Sequence, residues 1–218
     1  MTHSLHREGD LEKLDRDFCV FIYPARGFNN VGSGPKVSKL FEIFYGNDAS
    51  NCSSTSLREN LYSEVTPDEM LEAIAKDADS ARAYATFNDR EKVKNLLIQM
   101  KEADLGISIM VSGMIDKVRE IAAEAGIKPH TINLSLGIHG RTDKLPPADI
   151  RQFTTMCGHA VVAPNLIRAA IRKVKTGKTT AWDASIVAAK PCACGIYNPH
   201  RSAEQIRDTA PLYTVTRW

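Results

Sequence analysis

Apolar residues in the first 140 positions follow two spacings that alternate along the chain. Compact apolar runs predict four strands, at residues 17–25, 81–87, 105–113 and 130–138. Apolar spacings of three and four residues predict four helices, at residues 36–46, 66–78, 89–103 and 114–126. The helix at 66–78 opens with a capping box, in which Thr66 is the N-cap and Glu69 the third helical residue. The polar stretch 46–56 predicts a flexible loop.

Strands and helices that alternate with short connections are typical of α/β proteins. We therefore expect an α/β fold with a mixed or parallel sheet of about four strands and crossover helices. After Gly140 the pattern becomes helical, with helices predicted at residues 163–177, 179–190 and 198–210. The expected organisation is an α/β body over residues 1–140 and a helical, cysteine-bearing cap over residues 141–218, packed together as one compact unit.

The composition excludes several classes of protein. Of 218 residues, 43% are apolar and 25% charged, which is typical of a globular domain, and the net charge of +2 does not indicate nucleic-acid binding. The sequence contains no apolar run of transmembrane length and begins without a signal-peptide pattern, so we expect a cytoplasmic protein with no membrane partner. Five cysteines are an odd number, which argues against a disulfide framework. A homodimer is the expected assembly.

Three of the five cysteines lie in two short segments, "TTMCGHAVVAPN" and "AAKPCACGIYNPHR". Cys157 is followed by glycine, and Cys192 and Cys194 stand between Pro191 and Gly195, so both segments have the composition of turns. The helices predicted between the two turns would form a hairpin, which brings the end of its chain back near its beginning. The sequence therefore predicts that the three thiols converge.

Three interpretations of this cluster remain open. In the leading one, Cys157, Cys192 and Cys194 bind a [4Fe–4S] cluster with one iron left for substrate, and the protein is an enzyme of anaerobic-type metabolism. In the second, the same cysteines and His159 form a closed Cys₃His zinc site in a non-catalytic binding or accessory module. In the third, no metal binds, and either the cysteines pack as core residues or Cys157 is a nucleophile.

Further polar residues suggest where a substrate would bind. His139 and Arg141 follow the predicted strand 130–138, where ligands of open parallel sheets bind. We expect His139, or His159 beside the cysteines, to transfer a proton and Arg141 to pair with a small anionic substrate. Hydration or dehydration, sulfur transfer and reduction all remain open. Cys19 is expected in the core, and Cys52 is a candidate fourth ligand that would reach the cluster from its flexible loop.

Overall fold

The computed structural model describes residues 6–214 and shows one four-stranded sheet between two layers of helices. The strands are β1 (Phe18–Tyr23), β2 (Asn51–Ser54), β3 (Ala83–Phe87) and β4 (Ser108–Ser112). Their order is β2-β3-β1-β4, and every neighbouring pair is antiparallel. The α/β class with about four strands is confirmed. The expectation of a parallel or mixed sheet was wrong, because apolar patterns identify strands but do not encode the directions in which they pair.

Helices that precede and follow the strands cover one face of the sheet. They are α2 (Gly34–Gly46), α3 (Pro67–Lys76), α4 (Arg90–Ala103) and α5 (Ile115–Glu124), after a short α1 (Leu11–Leu14). The predicted capping box is present: the Thr66 side chain accepts from the Glu69 amide, and the Glu69 side chain accepts from the Thr66 amide. Each of the four predicted helices is found within two residues of its expected bounds.

The C-terminal part of the chain covers the other face. It consists of a 3₁₀ turn (Thr142–Lys144), α6 (Ala148–Thr154), α7 (Pro164–Lys175), α8 (Ala181–Ala189) and α9 (Pro199–Leu212). The three helices predicted here correspond to α7, α8 and α9, whereas α6 lies in a stretch expected to be a connection. In residues 6–214, no helix is long and apolar enough to cross a membrane.

Side-chain alternation along β1 connects the two layers. Phe18, Val20 and Ile22 point into the core beneath α2–α5, and Cys19 and Phe21 point into the core beneath α6–α9. Both cores are fully buried at β1 because it is a central strand. The second core also contains the three clustered cysteines, so the sheet supports their site.

Two predicted elements were wrong. Residues 130–138 form no strand; they run over the surface without regular structure, and all of them are exposed. The stretch 46–56 is not a free loop, because it contains β2, whose four residues are all buried. A strand requires a partner as well as a suitable pattern, and β2 finds one in β3 although its own residues are mostly polar.

Candidate functional site

Two turns carry the three clustered cysteines, and the helices between them return the chain. Cys157 follows α6, and its carbonyl accepts a hydrogen bond from the Ala160 amide at 3.0 Å, which closes the first turn. The second turn follows α8: the Cys192 carbonyl accepts from the Gly195 amide at 2.9 Å. Because α7 packs against α8, the helical hairpin expected from the sequence brings the two turns side by side.

The second turn is fixed against β2. Gly195 has a φ of +61°, and a Cβ at this position would collide with the backbone of Cys52. The Ser53 hydroxyl donates to the Ala193 carbonyl at 2.6 Å. The side-chain amide of Asn60 donates to the carbonyls of residues 189, 190 and 192, at 3.3, 3.1 and 3.0 Å. Glycine is thus required here both for its positive φ and for its close approach to the strand.

The structure brings the three thiols together. Cys192 and Cys194 have their sulfurs 3.7 Å apart, and the Cys157 thiol hydrogen bonds with the Cys192 sulfur. All three residues are buried, and all five cysteines of the chain are free thiols. His159, which is exposed, places its Nδ1 3.5 Å from the Cys194 sulfur. The site therefore lies beneath the surface with an imidazole at its outer side.

Two thiols of this cluster, those of Cys157 and Cys192, have pKa values above the ordinary value of a cysteine. The hydrogen bond from Cys157 to Cys192, followed by burial, raises the pKa of Cys157 well above its ordinary value. For Cys192, the hydrogen bond from Cys157 lowers the pKa, but the hydrogen bond with Cys194 and burial outweigh it and raise the pKa to about 12. A free nucleophile requires the opposite shift, because only the thiolate attacks. A bound cation would favour the deprotonated forms of these thiols.

Arg7 connects both cysteine turns, and sequence reasoning missed it. Its guanidinium donates to the Met156 carbonyl at 3.2 Å and to the Ile196 carbonyl, which lie beside the first and second turns. The same group forms a 2.5 Å ion pair with Asp17, whose side chain is fully buried. Arg201 pairs with the same carboxylate at 2.6 Å. No local pattern indicates this role, because an arginine in the polar stretch "HREGD" looks like a surface residue.

Ion pairing keeps the buried Asp17 and Arg7 side chains charged. Burial disfavours the charged form of Asp17, but the neighbouring Arg7 and Arg201 guanidinium groups outweigh it and keep the pKa of the carboxyl below its ordinary value. Burial likewise disfavours the Arg7 cation, but the Asp17 carboxylate dominates, and the pKa of Arg7 lies above its usual range. Cys19 and Cys192 are close enough to interact electrostatically with Arg7. A positive charge is therefore fixed next to the thiols.

The other predicted site residues lie elsewhere. His139 is exposed and its Nε2 is 2.9 Å from the Leu136 carbonyl, while Arg141 binds Asp143 through two hydrogen bonds of 2.9 and 2.7 Å. The expectation that His139 follows a strand end was wrong. Cys52 also does not swing in from a loop: it is buried in the core on the opposite face of the sheet, away from the other thiols. Cys19 is a core residue as expected, with its sulfur 4.0 Å from the Thr86 hydroxyl.

A cavity of about 430 Å³ lies next to Arg7. Its walls include His6, Arg7 and Glu8 on one side and parts of the segment 135–142 on the other. The segment that carries His139 and Arg141 therefore lies beside Arg7, although the side chains that line the cavity include neither His139 nor Arg141. The segment contacts the N-terminal stretch here, since the Ser135 hydroxyl lies 3.2 Å from Nδ1 of His6.

The donor set has the chemistry of a soft-metal site. Two sulfurs bound tetrahedrally to one zinc at about 2.3 Å lie about 3.8 Å apart, and a sulfur and an imidazole nitrogen about 3.6 Å apart. The separations of Cys194 from Cys192 and from His159, 3.7 and 3.5 Å, are close to these values. As the side chains stand, no group of three or more His, Cys, Asp or Glu residues within 6–214 is arranged to hold a metal ion. To bind a metal, the three cysteines would have to break the hydrogen bonds between their sulfurs and direct all three sulfurs toward one metal centre.

Comparison with known proteins adds no relative: no protein-family model, curated protein or solved structure matches this chain.

Proposed function

We propose that this protein binds a metal centre through the thiolates of Cys157, Cys192 and Cys194. The observation that carries the proposal is the convergence of three buried thiols from two separate turns, both of which are fixed to the rest of the fold. A single buried cysteine packs as a small hydrophobe and would not indicate a metal, but three thiols that meet from two separate turns form a set of soft ligands. Thiolates are the preferred ligands of zinc and of iron–sulfur clusters.

The iron–sulfur form is the one that would give the protein an activity. Three cysteines hold a [4Fe–4S] cluster with one iron free, and such an iron supplies Lewis-acid or redox chemistry to a bound molecule. The Arg7 guanidinium supports this form because it places a positive charge beside an anionic cluster. In this form the protein is an iron–sulfur enzyme of a reducing, cytoplasmic-type compartment, and the reaction is a hydration or dehydration, a sulfur transfer or a reduction.

The substrate proposed for this enzyme is a small anionic metabolite. The cavity beside Arg7 supports it, because the cavity joins the arginine that bridges the cysteine turns to the segment that carries His139 and Arg141. In this arrangement Arg141 leaves Asp143 to pair with a carboxylate, and His139 or His159 transfers a proton. Both His139 and Arg141 lie on the surface and are accessible to such a ligand.

A closed zinc site is the second candidate, and the observed separations favour it. The distances from Cys194 to Cys192 and to His159 match two edges of a tetrahedron around one ion. The cysteines of a cluster bind different iron atoms, so their sulfurs would have to move apart. In the zinc form the protein is a non-catalytic binding or accessory module whose metal stabilises the packing of α6–α9 on the sheet.

Purification without oxygen, followed by metal analysis and absorption spectroscopy, tests the proposal. An iron–sulfur cluster gives about four irons per chain and a broad absorption shoulder near about 400 nm, whereas zinc is colourless. Serine replacement of Cys157, Cys192 or Cys194 should remove the metal in either form. His159→Ala should release zinc but leave a three-cysteine cluster in place.

Two variants serve as matched controls. Cys19→Ser and Cys52→Ala each remove a buried thiol, Cys19 from the same core and Cys52 from the opposite one. Both should retain the metal content of the wild type. A wild-type protein that holds neither iron nor zinc after reconstitution under anaerobic conditions would refute the proposal.

A further inference from the structure

One edge of the sheet is covered and the other is open. β2 forms one edge, and its four residues are fully buried beneath the second cysteine turn and a bridge from Ser53 to Asn60. β4 forms the other edge; Ser108 is exposed and the remaining four residues are only half-buried. The sequence of β4, "SIMVS", contains none of the charges or prolines that usually protect an edge from pairing. The outer edge of β4 is therefore available to another strand.

The same chain carries a strand-like segment without a partner. Between residues 130 and 138 every second side chain is apolar, but this segment forms no ladder with any strand in the described part of the chain. The exposed fractions of these four apolar side chains are 55% for Ile132, 67% for Leu134, 90% for Leu136 and 40% for Ile138. Four large apolar side chains exposed at regular spacing are unusual on the surface of a monomeric protein.

The orientation of this segment on its own molecule is consistent with an external partner. Its polar face touches the chain, since the Ser135 hydroxyl hydrogen bonds with His6. Toward α5 the segment leaves an open groove of about 850 Å³, lined by residues of α5 and by Ile127 and Ile132. Leu134 and Leu136 are thus largely uncovered, whereas Ile132 and Ile138 are partly covered where they line the groove and the cavity beside Arg7.

We propose that residues 130–138 add as a fifth strand to the β4 edge of a second copy of this chain. The chain itself supplies both sides of the contact. Residues 130–138 have the pattern of a strand but join no sheet in the described part of the chain, and the outer edge of β4 pairs with no strand there. Exchange in both directions produces an isologous dimer with twofold symmetry, in which each copy gives one segment and receives one. A fully extended segment of nine residues spans about 30 Å, which is sufficient to reach a neighbouring molecule.

The apolar face of the incoming segment would extend the core beneath α2–α5. Ile109, Val111 and Val118 lie at the β4 end of that core and are only partly buried. The four apolar side chains of the segment expose on the order of 450 Å² per copy, or about 900 Å² for two exchanged segments. A stable interface buries about 1,600 Å² in total, and the backbone of the segments together with the β4 edges would supply the remainder.

Light scattering coupled to size-exclusion chromatography provides the first test. We expect a mass of twice the 24.1 kDa chain at about 50 μM protein. Leu134→Asp together with Leu136→Asp should weaken the dimer at least about 100-fold, because each change removes a buried leucine and places a charge in the interface. Asn133→Asp adds a charge to the polar face of the same segment and should leave the dimer intact.

Hydrogen exchange identifies the receiving surface. Dilution to the monomer should increase exchange in both 130–138 and 108–112, and the double aspartate variant should show the same increase at high protein concentration. A wild-type monomer at about 50 μM, or a dimer that survives both aspartates, would overturn the proposal. So would concentration-dependent exchange in 130–138 without a change in 108–112, because it would mean that the segments pair with each other. The metal content is not involved in any of these outcomes, so they are independent of the function proposed above.

Discussion

Removal of the Asp17 carboxylate from its buried ion network should cost a large part of the stability of the fold. The Asp17 carboxylate binds Arg7 at 2.5 Å and Arg201 at 2.6 Å, and it also accepts from the Asn198 side chain at 2.9 Å. The exposed fractions of the three charged side chains are 0% for Asp17, 7% for Arg7 and 2% for Arg201. Asp17→Asn keeps the size of the side chain but leaves two buried guanidinium groups without their carboxylate.

The expected cost follows from the desolvation of these groups. Breaking a buried ion pair by removal of one partner costs about 3–5 kcal/mol, because the remaining charge is uncompensated in a poorly polarisable interior. A domain of this kind has a total stability of about 5–15 kcal/mol, so Asp17→Asn should remove a large share. Arg7→Met in the Asp17→Asn background should recover part of the loss, since it removes one of the two unpaired cations.

Urea unfolding followed by circular dichroism measures the effect. Glu124→Gln is the matched control, because Glu124 also pairs with an arginine, Arg90 at 2.8 Å, but both side chains are well exposed. The control should leave the unfolding midpoint nearly unchanged, since water screens exposed pairs. If Asp17→Asn shifted the midpoint no more than Glu124→Gln does, the network would not be desolvated, and the inference that Arg7 holds the two cysteine turns would fail.

The same carboxylate should make the fold sensitive to acid. The pKa of Asp17 is lower in the folded protein than in the unfolded chain, so the folded state binds its proton less readily. The stabilisation is fully present above the unfolded pKa of about 3.9 and is lost as the pH falls through the lower folded value. Stability measured between neutral pH and about pH 3 should therefore fall more steeply for the wild type than for Asp17→Asn.

Two further predictions concern the cysteine-bearing layer. Gly195→Ala should lower the free energy of unfolding by about 2 kcal/mol or more and weaken metal retention, because its Cβ meets the Cys52 backbone and its φ is positive. Gly46→Ala, at a position with no atom within 4 Å of the added carbon, is the control and should be nearly neutral in urea unfolding. His200 contacts Trp182 with ring centroids 4.8 Å apart and ring planes tilted by 53°, and partial desolvation, followed by the charge of Lys92, lowers its pKa. Stability should decrease as the pH falls from about 6.5 toward the folded pKa of His200, and His200→Gln should remove this component; an unchanged pH profile in the variant would contradict the assignment.

Elements with local signals could be predicted from the sequence. Helix α4 and the capping box at Thr66 depend on side chains within a few residues of one another, and they form as their spacing predicts. The cysteine turns could be recognised for the same reason. Pro191 disfavours continuation of the helix before it, Gly195 favours a turn, and two helices joined by a short connection return the chain, so the convergence of Cys157 and Cys192 followed from local rules.

Features that require a distant partner could not be predicted, because they depend on contacts between remote parts of the chain. The directions of the strands depend on how the whole chain crosses the sheet, so the antiparallel order could not be obtained from apolar patterns. Residues 130–138 have the alternation of a strand but meet no edge in their own molecule, whereas the polar stretch at β2 is buried because β3 and a turn about 140 residues away cover it. Arg7 shows the same limit: its buried partners lie 10, 149 and 189 residues away, and an ion pair between such positions leaves no periodic trace in a sequence.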